Sequence, residues 1–170
     1  MSHDVDSAEQ RLADLGVTLP DPLPPFGEYV PAVRSGRQLW VGGHFGTRPD
    51  GTIYTGRVGD TVSAEDARVA ARSAALNLLA TVRAEVGTLD AVEQVVHLSG
   101  VVNSTPDFIG QTGVIDGASE VFVAGFGDRG RHARLAVGVA ALPGDLVLEI
   151  EAVIDLVDSP GPEPTAPGRP

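Results

Sequence analysis

Three side chains near the end of the regular sequence have the types needed to handle a small anion. They are Arg134, Glu149 and Glu151, within the stretch HARLAVGVAALPGDLVLEIEAVIDL that begins at His132. A guanidinium presents a planar fork of donors that matches a carboxylate. The residues around Arg134 are small, Ala136, Gly138 and Ala140, and leave room for a ligand to approach the backbone closely. This suits a ligand pocket or a subunit interface in which Arg134 holds an anion. The plainer alternative is a surface ion pair between Arg134 and Glu151, a commonplace arrangement across paired strands.

The positions of these groups depend on the elements that carry them. Two runs rich in Val, Ile and Leu flank Leu142, Pro143, Gly144 and Asp145, which predicts two antiparallel strands joined by a short connection. If Ala141 pairs with Leu146, then Gly138 faces Glu149, Ala136 faces Glu151 and Arg134 faces Val153. Leu135, Val137, Val139, Leu146, Leu148, Ile150 and Ile154 then form an apolar face to pack under helices. Arg134, Ala136, Gly138, Glu149, Glu151 and Val153 form the opposite, helix-free face. In this register Glu151 lies nearer to Arg134 than Glu149 does.

The earlier elements follow in order. DSAEQRLADLG predicts a short helix capped by Asp6 or Ser7, with Leu12 and Leu15 as its apolar edge and Gly16 as its end. LPDPLPPFG, with four prolines, makes an extended connector. Residues 29–35 and 38–42 read as a hairpin turning at Gly36 and Arg37, followed by a loop around Pro49, Asp50 and Gly51. A long helix over Ala64–Val86 carries a capping box, Ser63 with Asp66, and a Gly87 stop. Its alanine-rich face, from Ala67 to Val82 and Val86, implies close packing on a sheet, with Arg68, Arg72 and Arg83 in solvent. Val92–Asn103 reads as a strand buried on both faces, His97 within it being a hydrogen-bonded core residue. A second helix is predicted over residues 116–126, with Asp116 at its start. The tail from Asp158 has five prolines and no apolar face and reads as disordered.

This order gives an α+β fold, a mixed sheet with two main helices on one face. The bare face implies partial burial against other copies of the chain, with clefts at the seams. Residues 1–25 read as an N-terminal helix and proline-rich connector, 26–157 as one domain and 158–170 as a tail.

Composition narrows the function. The formal net charge of −11, from 23 acidic and 12 basic residues, disfavours nucleic acid as a partner. The absence of cysteine removes disulfides, thiolate nucleophiles and thiolate metal sites together. His3, His44, His97 and His132 show no metal-ligand spacing, so no metal is expected. Neither a membrane span nor a signal peptide is evident, and the expected location is the cytoplasm.

The chain resembles the RidA family, also called YjgF/YER057c/UK114, over about residues 26–157. The likeness lies in FGEYVPAVRSGRQLWVGGH, in AARSAALNLLATVRAEVGTLDAVEQVV and above all in HARLAVGVAALPGDLVLEIEAV. RLADLGVTLP, VVNSTPDF, IDGASE and FGDRGRHAR look like a particular branch of that family. The resemblance implies a chorismate-mutase-like fold and a homotrimer with ligand clefts between subunits. It also implies a hydrolase that deaminates 2-imino or enamine acids to 2-oxo acids and ammonia, without a cofactor. Arg134 matches the arginine that holds the substrate carboxylate, Tyr29 the tyrosine lining the pocket and Glu149 the glutamate that orients water. An imine carbon is already electrophilic, so positioning plus a carboxylate could suffice.

Gly43, His44, Ala136 and Asp116 fall around the same pocket by this resemblance. Three of them depart from the family: Ala136 replaces a cysteine, His44 a glutamine and Asp116 an asparagine. Asp116 reads as a helix cap, and His44 and His132 add titratable groups near the cleft. The partner implied is a small metabolite bearing a carboxylate. The alternatives are a non-catalytic binder of small carboxylates, or a tautomerase or lyase using the same cleft. RNA cleavage fits an acidic chain poorly.

Overall fold

The computed structural model describes residues 7–157. Three helices, α1 (Ala8–Asp14), α2 (Ala64–Val86) and α3 (Gln111–Phe126), accompany five strands. The strands are β1 (Ala32–Ser35), β2 (Gln38–His44), β3 (Val92–Asn103), β4 (Ala133–Val139) and β5 (Leu148–Leu156). They form one sheet in the order β1-β2-β5-β3-β4, antiparallel throughout except for the parallel pair β3 and β4. The α+β mixed sheet predicted from the sequence is therefore present, with α2 and α3 on one face.

α2 has the predicted bounds. Ser63 Oγ accepts the Asp66 amide at 3.0 Å and bonds its carboxylate at 2.7 Å, while Gly87 ends the helix at φ +85°. Ala67, Ala70, Ala71, Ala74, Ala75, Leu78, Leu79 and Val82 are all buried on the sheet side, each larger apolar side chain there contributing about 1.5–3 kcal/mol. Small residues let the helices close in. A Cβ on Gly117 of α3 would collide with the backbone carbonyl of Arg68 on α2, so only glycine permits that approach. Arg68 does not simply face solvent: it bonds the Gly113 carbonyl and Glu120 across to α3.

The first hairpin forms as predicted, closing at Ser35 and Gln38. The N-terminal helix spans Ala8–Asp14, with Ala8 and Leu12 in the core, whereas Leu15 is exposed. Ser7 makes no side-chain cap to α1; its hydroxyl donates to Asp90, which also accepts the Ala8 amide at 2.8 Å. Asp6, His3 and the proline-rich tail lie outside the described residues. β3 has the predicted bounds, but a register shift between Val95 and His97 brings Val95 into the core and leaves Val96 exposed. Only one face of β3 is closed. α3 starts five residues earlier than expected, so Asp116 sits inside the helix and caps nothing.

The predicted C-terminal hairpin does not form. β4 and β5 lie on either side of β3, and the pairings expected between Gly138 and Glu149, Ala136 and Glu151, and Arg134 and Val153 are absent. The unit β3-α3-β4 is a crossover connection, which returns the chain parallel to β3. The segment after β4 then passes over the end of β3. Asn103 bonds Val147 through its backbone, and its side-chain amide donates to the Gly56 carbonyl and to Asp145. A left-handed pair, Gly144 at φ +61° and Asp145 at φ +57°, turns the chain toward β5.

This exchange of partners inverts β4. In a parallel pair, residues in register share a face. Arg134 is opposite Leu98 and Ala136 opposite Gly100, both of which face the helices, so Arg134 and Ala136 do too. Leu135 and Val137 instead stand 49% and 37% exposed on the helix-free face. β5 has the expected faces: Leu148, Ile150 and Ile154 are buried, with Glu149 and Glu151 on the bare side.

Candidate functional site

Two separate groups of polar side chains result. The first stands on the helix-free face, where a cleft of about 870 Å³ is lined by Phe26, Tyr29, Gly42, Gly43, Ile53, Ser99, Val101, Leu146, Glu149 and Glu151. β2 supplies Gly42 and Gly43, β3 supplies Ser99 and Val101, and β5 supplies the carboxylates. Register places Glu149 beside Val101 and Glu151 beside Ser99, so both project from the same face of the central strands. Most of the walls are apolar. Phe26 stacks on Phe45 at 5.2 Å, and the Tyr29 hydroxyl accepts the Phe26 amide at 3.2 Å, folding the connector over the mouth of the cleft.

Glu149 is the most perturbed group in this cleft. Burial raises its pKa above the ordinary glutamate value, and the neighbouring Glu151 charge pushes it the same way. Gly43 allows its placement, because a Cβ there would lie 3.0 Å from Glu149 Oε1. A carboxylate with raised affinity for protons in an apolar cleft can take a proton from water and return it.

The second group stands on the helix side, between α3 and the edge strand β4. Arg134 Nη1 donates to Asp116 Oδ1 at 2.7 Å and to Ser119 Oγ at 3.0 Å, and Nη2 reaches the Thr112 carbonyl at 3.4 Å. The arginine side chain is 19% exposed and that of Asp116 44%. Among the described residues Nε has no hydrogen-bond partner, so one edge of the fork is left to a ligand. His132 completes the group: Nε2 lies 3.0 Å from Ser119 Oγ, Nδ1 lies 2.6 Å from the Gly130 carbonyl, and Phe122 packs edge-on to the ring. Its pKa is lowered, chiefly by burial and further by the positive charges of Arg134 and His97, against the opposing bond to Gly130.

The sequence-predicted residues therefore divide. Tyr29, Gly43 and Glu149 line one cleft, while Arg134 and Asp116 meet each other on the opposite side of the sheet. The expectation that Arg134 shares the bare face with Glu149 and Glu151 is corrected, and so is the Arg134 to Glu151 ion pair. Ala136 packs toward the core beneath α3 rather than onto an open pocket. His44 is buried under α2, with Nδ1 2.8 Å from the Gly42 carbonyl and Nε2 2.8 Å from Thr81 Oγ1, and it does not line the cleft. Both ring nitrogens are satisfied internally, which is a structural role. Burial lowers its pKa.

Ser119 escaped the sequence reading, since a serine in mid-helix carries no spacing signal toward a histidine thirteen positions on. Phe26 and Leu146 were likewise missed as cleft walls, because the loops that bring them there are non-local. Among the described residues no group of three or more His, Asp or Glu side chains could hold a metal ion. No helix there is long and apolar enough to cross a membrane.

Comparison with known proteins gives consistent matches. Residues 9–152 match the family model described as YjgF/chorismate mutase-like, putative endoribonuclease. Protein TCP17 of Trypanosoma cruzi is 40% identical over 147 residues, covering 86% of this chain and 92% of that protein. The crystal structure of Atu1372 from Agrobacterium tumefaciens, of unknown function, is 41% identical, covers 89% of this chain and 95% of its own, and superposes with a TM-score of 0.80. A protein from Shewanella oneidensis, titled a putative endoribonuclease, is 29% identical over 88% of this chain and 99% of its own, with a TM-score of 0.85.

Proposed function

The chain belongs to the YjgF/chorismate mutase-like family, and from that premise we propose that it hydrolyses small 2-imino or enamine acids to 2-oxo acids and ammonia in a cleft between copies of itself. The observation that carries this reading is the Glu149 carboxyl, with its raised pKa, held against Gly43 in an apolar cleft. Such a group can accept a proton from water as the water adds to an electrophilic carbon, and then supply it to the departing nitrogen. A substrate carboxylate needs a cation, and the cleft of one chain has none on its walls. Arg134 supplies it from a neighbour. It lies on the edge strand β4, whose Leu135 and Val137 are exposed toward the bare face. With Trp40 and Val33, also exposed, they form an apolar surface suited to covering by other protomers. A trimer would close three such seams, each joining one Arg134 to another chain's Tyr29, Gly43 and Glu149.

The RNA-cleaving label printed for relatives is the weaker reading here. A chain of net charge −11 lacks the basic track that binds a polyanion.

The test is direct. An imine generated in situ from an amino acid by an oxidase is followed as ammonia and 2-oxo acid, in competition with a trapping amine. Wild type accelerates the reaction, Arg134→Ala and Glu149→Gln abolish it, and sedimentation shows that both remain trimers. A wild-type protein that leaves the uncatalysed rate unchanged, or an Arg134→Ala variant of full activity, refutes the proposal.

A further inference from the structure

Ser119 lies in the middle of α3, a position where serine is a mediocre helix former and its hydroxyl commonly bonds back along its own helix. Here the hydroxyl is engaged across elements instead, by His132 on one side and Arg134 on the other, each at 3.0 Å. The hydrogen-bond directions follow from the partners. The Gly130 carbonyl can only accept, so His132 Nδ1 carries the ring proton and Nε2 presents its lone pair to the serine. Arg134 can only donate, so Ser119 Oγ receives a proton from the guanidinium and offers its own to the imidazole. A hydroxyl beside a base, with the base oriented by a third group, is the arrangement that activates hydroxyls in catalysis. The guanidinium adds stabilisation for negative charge developing on Oγ.

We propose that Ser119 and His132 form a proton relay for the ligand held by Arg134, Ser119 being the group that touches the reacting hydroxyl and His132 the positioning residue that takes the proton behind it. The proposal rests on the reading of Arg134 as the carboxylate anchor of an imine-hydrolysing cleft. It assigns the second half of the reaction to the helix side of the seam. Water adds to the protonated imine carbon, forming the C–O bond as the C=N pair moves to nitrogen; the water's proton passes to Glu149. Glu149 then returns that proton to nitrogen. In the collapse, Ser119 Oγ takes the remaining hydroxyl proton while its own moves to His132 Nε2, the oxygen's electron pair forms C=O, and the C–N pair leaves with ammonia. His132 gives its proton to solvent. One protonated imine and one water yield one 2-oxo acid, one ammonia and one proton.

The surroundings of His132 favour the neutral ring that this role requires. Arg134 on β4 and His97 on β3 both oppose a positive charge on it, and Asp116 on α3 is already paired with Arg134. In the turn before it, Asp128 pairs with Arg131, and Arg129 bonds the Val92 carbonyl.

The experiment compares wild type, Ser119→Ala, Ser119→Thr and His132→Gln for kcat and KM on an in-situ imine across pH, for the dissociation constant of 2-oxobutyrate, and for the His132 titration by NMR. Ser119→Ala and His132→Gln are expected to lower kcat by about 10²-fold or more, with 2-oxobutyrate affinity within about threefold of wild type. Ser119→Thr, which keeps the hydroxyl, restores most of the rate. The acid limb of the wild-type pH profile falls at the titration midpoint of His132 and vanishes in His132→Gln. Variants that keep kcat, that lose affinity and turnover together, or that retain the acid limb overturn the relay while leaving the proposed hydrolysis intact. Absence of turnover in wild type overturns both, and is read before any variant is made.

Discussion

Replacing Asp116 by asparagine should tighten the binding of a small carboxylate, although it removes an ion pair. Asp116 Oδ1 sits 2.7 Å from Arg134 Nη1 and takes up one side of the guanidinium. A ligand carboxylate seated on the Nε and Nη2 edge would displace only the long contact from Nη2 to the Thr112 carbonyl, at 3.4 Å. It would also lie roughly 6 Å from the aspartate charge, at which separation two like charges repel by about 0.7 kcal/mol at the dielectric of water and about 1.4 kcal/mol at half that value. The Asp116 side chain is 44% exposed, so the true cost lies in this screened range. Asparagine keeps an oxygen acceptor for Nη1 and removes the charge, so the dissociation constant of 2-oxobutyrate should fall about 3- to 10-fold. The gain should shrink as salt is added. Fold stability should drop by no more than about 1 kcal/mol, the ordinary value of a partly exposed pair. Calorimetric titration at two ionic strengths measures both effects. An unchanged or weakened affinity in Asp116→Asn would show that the fork does not receive the ligand, and the reasoning about Arg134 would fail with it.

Glu149→Gln should raise the melting temperature at neutral pH: the folded carboxyl has a raised pKa, so its ionised form disfavours the fold above that value, and the difference from wild type should vanish as pH falls below the usual glutamate range. His44 and His132 have lowered pKa values in the fold, so the unfolded chain binds more protons than the folded one below about 6.5. Thermal stability should therefore decline as pH falls through and below that value; denaturation scans of His44→Gln should show a shallower slope there than wild type. Gly117→Ala should destabilise by about 1–3 kcal/mol in urea, since its Cβ would overlap the Arg68 backbone of α2 and neither helix can yield locally.

How far the sequence reached is clearest at the two ends of the molecule's local order. α2 could be read to the residue because everything that bounds it is local: Ser63 caps it, Gly87 stops it, and alanines repeat on one face. The first hairpin is equally local. The cysteine-free, acidic composition and the motifs around Arg134 and Glu149 also pointed to the family before any coordinate was considered. Alternation in β4 and β5 established that each strand has two unlike faces.

Which face of β4 looks toward the helices was not written in that alternation. A strand of period two with Leu135, Val137 and Val139 on one side and Arg134, Ala136 and Gly138 on the other can be turned either way, and apolar residues favoured the wrong way. β3 decides the matter by inserting between β4 and β5, a pairing fixed by the α3 crossover and by Asn103 bonding the loop beyond it. That is a contact between segments tens of residues apart, and no local preference encodes it. Its consequence is chemical: Arg134 joins Ser119 and His132 under α3, while Glu149 stays with Gly43 and Tyr29 on the far side of the sheet. The residues were legible in the sequence, whereas their separation into two half-sites came only from the order of the strands.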